Sequence, residues 1–145
     1  MPGRPEPLVN ALPTEAQLLG QAVEAARCFG VVLERSNVMV ALNPKGQPVA
    51  CGVKGDPDLK GTLPSGRSVR VELKRPGFDP AKLRGKARGH FARQVARMAE
   101  LNARGEACWW AADVGDVVRG LEILRDDPRA VITFDPDLHN HFHTH

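Results

Sequence analysis

Charged side chains alternate with apolar ones over residues 68–74, and two of them could take part in hydrolytic chemistry. Successive side chains of a β-strand point to opposite faces, so an extended segment here places Glu72 and Lys74 on the same face. A second carboxylate, Asp58, lies shortly before this segment. Two carboxylates beside a lysine predict a site for a divalent cation, because hard cations prefer carboxylate oxygens.

The spacing of the segment predicts a hairpin that would bring Asp58 to Glu72. Residues 59–63 and 67–74 flank the three-residue turn Pro64-Ser65-Gly66, and Gly66 suits the positive φ of such a turn. In that register Leu63 pairs with Arg67 and Asp58 lies opposite Glu72. Directly opposite residues share a face, with Cβ atoms about 4.5–5.5 Å apart. A shift of one residue would move Asp58 to the other face.

A structural interpretation of the same residues stays open. Alternation of apolar and charged side chains is typical of any half-exposed strand, and an aspartate after Pro57 is typical of a turn. The negative charge of Glu15 could simply stabilise the N-terminus of a helix by interacting with the helix dipole. Gln94 could be a surface glutamine. Glu15 nevertheless precedes Leu18, Leu19 and Ala22 at helical spacing, which places it at the end of their apolar stripe.

The remaining sequence predicts the elements that must position these residues. Thr14 and Gln17 form a capping box before a helix that Gly30 ends. Short strands are predicted over residues 31–33, 38–42 and 49–53, with a turn at 43–46. A helix over about 88–104, a buried strand over 107–112 and a helix over 114–125 follow. Helices on both sides of these strands predict an α/β fold with a mixed sheet and an α-β-β-β-α-β core.

Three regions are predicted along the 145 residues. Residues 1–13 contain Pro2, Pro5, Pro7 and Pro13 and are interpreted as an extended arm. Residues 14–125 form the domain. Residues 126–145 are a polar tail, expected to be disordered, in which four histidines alternate with other residues. A transition metal could bind such histidines only adventitiously.

Composition excludes several classes of protein. With 42% apolar and 26% charged residues the chain is globular, and its net charge of +3 permits an anionic partner without requiring one. No segment is long and apolar enough for a membrane span or a signal peptide. The three cysteines, Cys28, Cys51 and Cys108, are expected to be buried, reduced thiols of a cytoplasmic protein.

Basic residues without acidic neighbours form the strongest local charge in the chain. Such a segment could follow a phosphate backbone or could be a solvated loop and helix face. Its members are Lys82, Arg84, Lys86, Arg88, Arg93 and Arg97.

Taken in order, these motifs resemble the VRR-NUC branch of the PD-(D/E)XK nucleases, which is frequent in phages and bacteria as stand-alone proteins. The matching positions share the order and spacing of that family over roughly residues 14–125. They are Glu15 in the first helix, Arg35 and Asn37, Gly55-Asp56-Pro57-Asp58-Leu59, Glu72-Leu73-Lys74, Gln94, and the turn Arg104-Gly105-Glu106-Ala107. The longer and more basic loop before Gln94 and the tail after Arg125 depart from the pattern.

The resemblance implies a restriction-endonuclease-like fold and a role for each matched residue. Asp58, Glu72 and the Leu73 backbone carbonyl would bind Mg²⁺ or Mn²⁺, and Glu15 would join them directly or through water. Lys74 would orient or activate the attacking water, and Gln94 would support the site. These roles agree with the chemistry of metal-assisted phosphodiester hydrolysis.

The implied function is a metal-dependent deoxyribonuclease that acts as a homodimer on branched DNA such as Holliday junctions, in DNA repair or recombination. The alternative is a DNA-binding module or accessory protein that uses a nuclease fold without cutting. A sequence-specific restriction activity is less favoured, because the sequence offers no separate recognition domain.

Overall fold

The computed structural model describes residues 12–36, 39–51 and 56–145. Its helices are Glu15–Arg27 (α1), Gly85–Ala103 (α2) and Val114–Asp126 (α3), and a 3₁₀ turn at Pro80–Lys82 precedes α2. Its strands, β1 to β8 in chain order, are Glu34–Arg35, Met39–Leu42, Pro48–Cys51, Leu59–Thr62, Ser68–Leu73, Ala107–Ala111, Val131–Phe134 and Asn140–His143. Among these residues, no helix is long and apolar enough to cross a membrane.

Four strands form the central sheet, in the order β1-β4-β5-β6. β4 is antiparallel to both β1 and β5, whereas β6 runs parallel to β5. The connection from β5 to β6 contains α2, as a parallel crossover requires. The core elements therefore occur in the predicted order along the chain: α1, β1, β4, β5, α2 and β6. The α-β-β-β-α-β core and the restriction-endonuclease-like α/β class are confirmed, with the β2–β3 hairpin inserted after β1.

The β4–β5 hairpin has the predicted register. Leu59 pairs with Val71, and the backbone N–H of Leu63 donates to the Arg67 carbonyl at 2.8 Å. Gly66 has φ +95°, a conformation that residues with a Cβ rarely adopt. Glycine at this position therefore fixes the turn, and the turn in turn fixes which side chains of β5 share a face.

The helix α1 begins where the capping box predicted. The Thr14 hydroxyl accepts the Gln17 N–H at 3.1 Å, and the Gln17 side chain accepts the Thr14 N–H at 2.9 Å. Both contacts satisfy donors that would otherwise lack an intrahelical partner. From this start, α1 buries Leu18, Ala22 and Ala26 against the sheet.

Helices cover the sheet on both sides. α1 and α3 pack on the face formed by residues such as Val69, Val71 and Trp109, and this apolar core is fully buried. α2 packs on the opposite face, where Phe91 and Trp110 lead a smaller cluster. The adjacent residues Trp109 and Trp110 thus face opposite sides of β6, and both serve core packing.

Two asparagine side chains cover the outer edge of β6. Cys108 donates its N–H to Asn102 Oδ1 at 2.6 Å, and its carbonyl accepts Asn102 Nδ2 at 3.0 Å. Asn140 makes the equivalent pair with Trp110, at 3.1 and 2.8 Å. The amide groups replace the hydrogen bonds of a further strand, so the edge presents fewer unpaired groups to another chain.

The disordered C-terminal tail is a wrong expectation. Strands β7 and β8 form an antiparallel hairpin that packs on the core through the buried Ile132 and through Phe142, whose ring lies 5.7 Å from that of Trp109. The alternation that looked polar is a strand pattern: His141 and His143 point outward, while Asn140 and Phe142 point inward. The predicted N-terminal arm lies outside the described part of the chain over residues 1–11.

Three smaller expectations are also corrected. Residues 31–33 form no strand: their chain passes close to Gly61, but pairing with β4 begins only at Glu34. Helix α2 begins at Gly85, several residues earlier than expected. Cys28 is exposed at the end of α1, whereas Cys108 is buried as predicted. The side chain of Cys51 lies outside the described residues.

Candidate functional site

Asp58 and Glu72 meet on the α2 face of the sheet, at the end of β5. Glu72 is 4% exposed, and it is the buried charged residue of the described part of the chain. Asp58 precedes β4 in the register that sets Leu59 opposite Val71, so it lies across from Glu72. The Asp58 carboxylate also accepts the backbone N–H of Leu73 at 3.0 Å. This hydrogen bond fixes the aspartate against the end of β5.

The surroundings of Glu72 disfavour its charged form. Burial raises the pKa of its carboxyl to about 9, with further contributions from a carboxyl–carboxyl hydrogen bond with Asp58 and from the charges of Asp58 and Glu15. The nearby Lys74 opposes this increase. Near neutral pH the pair of carboxyls therefore holds a proton. A divalent cation between them would supply the positive charge that the proton supplies here.

Lys74 lies two residues after Glu72 on the same face and is held on three sides. Its Nζ donates to Gln94 Oε1 of α2 at 2.6 Å. The same ammonium lies 5.1 Å from the centre of the Phe91 ring and 5.5 Å from that of Phe78. Aromatic faces attract a cation at such distances. The arrangement holds the Lys74 ammonium against α2 and the two aromatic rings.

Glu15 reaches the site from a different element. It occupies the first turn of α1, and its side chain is exposed, so the expected inward position at the end of the apolar stripe is wrong. Its negative charge nevertheless acts on Glu72, because it contributes to the raised pKa of that group. The structure thus brings together Asp58, Glu72, Lys74 and Gln94 closely, with Glu15 at the margin.

The donors at this site suit a hard cation such as Mg²⁺ or Mn²⁺ better than a structural zinc ion. Within residues 12–36, 39–51 and 56–145, no three His, Cys, Asp or Glu side chains are grouped as a metal cage. Asp58 and Glu72 provide two carboxylates, of which Asp58 is exposed. Magnesium is commonly held by one or two carboxylates, and water and substrate phosphate complete its coordination. The residues present therefore fit such an ion.

The predicted DNA-binding residues fall into two groups. Lys82, Arg84, Lys86 and Arg93 are exposed along the 3₁₀ turn, the loop and α2, although Arg84 also donates to the neighbouring carbonyls of Ala81 and Leu83 at 2.8 Å. Arg88 instead donates to the carbonyls of Pro80 and Pro136, and Arg97 is paired with Asp56 and Glu100. The second group is already engaged within the protein, so it has less freedom to contact a phosphate.

Two arginines important to this region were missed in the sequence. Arg70 donates to Glu106 at 2.9 Å and to Asp56 at 3.3 Å. Arg67 donates to four backbone carbonyls, those of Gly105, Glu106, Pro128 and Ala130, at 2.7–3.1 Å, and burial lowers its pKa. No local spacing reveals these contacts, since each partner lies more than ten residues away.

Other residues of the sequence resemblance lie in β1, at a turn or outside the described residues. Arg35 is exposed in β1, and Asn37 and Gly55 lie outside the described part of the chain. Gly105 has φ +99° and closes the turn between α2 and β6.

Comparison with known proteins finds similarity at the level of structure. No family model matches the sequence, and no curated protein matches it. A solved structure described as a "VRR_NUC domain" is 21% identical, with a TM-score of 0.47, over 76% of this chain and 97% of that chain.

Proposed function

We propose that this protein is a Mg²⁺- or Mn²⁺-dependent nuclease that hydrolyses phosphodiester bonds in DNA. The observation that carries the proposal is the placement of Asp58 opposite the buried Glu72, with the Lys74 ammonium beside them. A buried carboxyl with a strongly raised pKa, paired with a second carboxyl, is typical of a functional site. A purely structural strand would not place two acidic groups against each other.

Each side chain has a defined part in this proposal. Asp58 and Glu72 would hold the cation, the Leu73 carbonyl would add a backbone oxygen, and Glu15 would contribute negative charge from α1. Lys74, held by Gln94, orients the attacking water and stabilises negative charge on the phosphate. When bound, the cation lowers the pKa of water and neutralises charge on the phosphate.

The substrate class follows from the charge near the site. Lys82, Arg84, Lys86 and Arg93 offer exposed positive charge on the segment that leads into and along α2, the helix that carries Gln94. We extend the proposal to branched DNA cut by a homodimer in the cytoplasm, because two sites suit a junction with two equivalent strands. Repair or recombination would supply such substrates.

Cleavage of labelled duplex, single-stranded, flap and four-way substrates tests the proposal. Each substrate is incubated with Mg²⁺, Mn²⁺ or EDTA, and the mass of the protein in solution is measured alongside. We expect cleavage with either metal, none with EDTA, and the highest rate on the four-way substrate. Glu72→Gln and Lys74→Ala should each abolish cleavage while DNA binding persists.

The exposed Glu122 on α3 provides a matched control, and Glu122→Gln should cleave at the wild-type rate. Cleavage in EDTA, or wild-type activity in Glu72→Gln, would contradict the proposal. DNA binding without cleavage under every condition would favour the DNA-binding module instead. A monomer that cleaves four-way DNA would contradict only the homodimer.

A further inference from the structure

One carboxylate outside the metal-binding pair connects the three elements that carry the site. Asp56 accepts from Arg97 Nε at 2.7 Å and from an Arg70 guanidinium nitrogen at 3.3 Å. Its side chain is 14% exposed, and those of Arg97 and Arg70 are 18% and 21% exposed. Ion pairs shielded to this degree are screened less than those at an open surface.

The positions of the two arginines relate them to the site. Arg70 lies on β5 two residues before Glu72 and on the same face. Arg97 lies on α2 three residues after Gln94, which holds Lys74. Asp56 itself precedes Asp58 by two residues. A single carboxylate therefore ties together the segment of Asp58, the strand of Glu72 and the helix of Gln94.

The backbone from Asp56 to Asp58 is restricted, so the position of Asp56 affects the position of Asp58. Pro57 is buried and its ring restricts φ, so the segment has little freedom to rotate. The Asp58 carbonyl accepts the Ser36 N–H at 2.7 Å, and the Asp58 side chain accepts the Leu73 N–H. If Asp56 lost its pairing with Arg70 and Arg97, no side-chain contact of Asp56 would hold the chain just before Asp58 in place.

We infer that Asp56 is a positioning residue, which sets the distance between Asp58 and the group formed by Glu72, Lys74 and Gln94. It acts through Arg70 and Arg97 and touches neither metal nor DNA. This inference rests on the proposed function for its consequence in metal binding, but its structural part concerns the placement of Asp58 alone. It also assigns Arg97 to the interior of the site rather than to the DNA-binding surface.

Two measurements on Asp56→Asn test the inference. Amide hydrogen exchange, followed by NMR without metal, reports the Leu73 N–H that donates to Asp58. We expect this amide to exchange faster in Asp56→Asn, while the amides within α1 and α3 keep their protection. Mn²⁺ binding, followed by EPR of the free ion, should weaken by about tenfold, as loss of a supporting hydrogen bond commonly does.

Glu106→Gln is the matched control. Glu106 pairs with the same Arg70, and its side chain is 19% exposed, but among the described residues no hydrogen bond or ion pair joins its carboxylate to residues 56–58. We expect this variant to lose thermal stability without any change in Leu73 exchange or Mn²⁺ affinity. Arg97→Gln leaves Asp56 paired with Arg70, so it should show a smaller increase in Leu73 exchange and a smaller loss of Mn²⁺ affinity. It replaces Asp56→Asn as the test variant if Asp56→Asn does not fold.

The outcomes separate the inference from the proposed function. Unchanged Leu73 exchange in both Asp56→Asn and Arg97→Gln, or an equal change in Glu106→Gln, would overturn the positioning role. Suppose that Leu73 exchanges faster in Asp56→Asn but the wild-type protein binds no Mn²⁺. This result would support the positioning role and overturn the metal-dependent function. Faster exchange together with weaker Mn²⁺ binding supports both.

Discussion

The two faces of the central sheet bury different kinds of groups, although the same strands supply both. Toward α1 and α3, β5 presents Val69, Val71 and Leu73 to an apolar core. Toward α2, β5 presents Arg70 and Glu72, and Lys74 follows just beyond its end; each of the three has polar or charged neighbours. The first face gains stability by removing apolar surface from water. The second depends on the pairing of each buried charge, so it contributes less to stability.

The largest expected effect concerns Glu72 in the metal-free protein. Because its pKa is raised to about 9 in the folded state, folding retains a proton that the unfolded chain releases above about pH 4.5. Stability from this group is therefore full below that pH and is lost as pH rises toward 9. The folding equilibrium should change about tenfold per pH unit over this range.

Glu72→Gln carries no titrating group and should remove this dependence. We expect it to be more stable than the wild type at pH 8 by on the order of a few kcal/mol, and equal to it near pH 4.5. Urea unfolding in EDTA at several pH values measures the difference, with Glu122→Gln as the control. Parallel stability curves for Glu72→Gln and the wild type would show that Glu72 is not protonated in the folded protein.

A smaller effect is expected on the apolar face, where Gly120 of α3 packs against the indole of Trp109. A Cβ at this position would lie 2.4 Å from Trp109 Cε2, which is too close for contact. Gly120→Ala should therefore cost about 1–3 kcal/mol through overpacking. Because the change adds no charge, its cost should not depend on pH.

Gly20→Ala on α1 provides the contrast, since an added Cβ there meets no atom within 4 Å. We expect it to stabilise the protein by up to about 1 kcal/mol, as alanine favours a helix over glycine. Urea unfolding of both variants measures these changes. Stabilisation by Gly120→Ala would mean that α3 and β6 are less tightly packed than described.

The smallest effect is expected at the exposed basic residues. Lys86→Gln and Arg93→Gln should each reduce the slope of log affinity against log salt by up to about 0.9 for duplex DNA, because each loses one phosphate contact. Arg97→Gln should leave the slope unchanged, since that guanidinium is already paired with Asp56. Fluorescence anisotropy in EDTA over a range of KCl concentrations measures the slopes. An equal decrease in all three variants would place Arg97 on the DNA surface.

Local signals in the sequence predicted much of the site. The turn residues at 64–66 fixed the hairpin register, and the register alone placed Asp58 opposite Glu72. Gln94 was expected near the site only by resemblance, and it lies 2.6 Å from Lys74. The burial of Glu72 could not be predicted, because an alternating strand has the same appearance whether its charged face meets solvent or a helix.

The Asp56 ion pairs and the C-terminal hairpin show where local signals end. Asp56 lies 41 residues from Arg97 and 14 from Arg70, and no periodicity relates them. The histidine-rich end appeared polar because the role of its inward residues depends on distant partners. Asn140 bonds to the backbone of Trp110, and Phe142 packs against Trp109. Both features depend on surfaces that other elements create.

The sequence by itself determined the order of elements, the capped start of α1, the β4–β5 register and the shared face of Glu72 and Lys74. These follow from backbone sterics, alternation of side chains and short-range hydrogen bonds, which act between residues close in the chain. The tertiary structure decided which face α2 would cover, and so which carboxyl would lose its water. It also decided which arginines would turn inward to Asp56, because burial and long-range pairing exist only once the layers have packed.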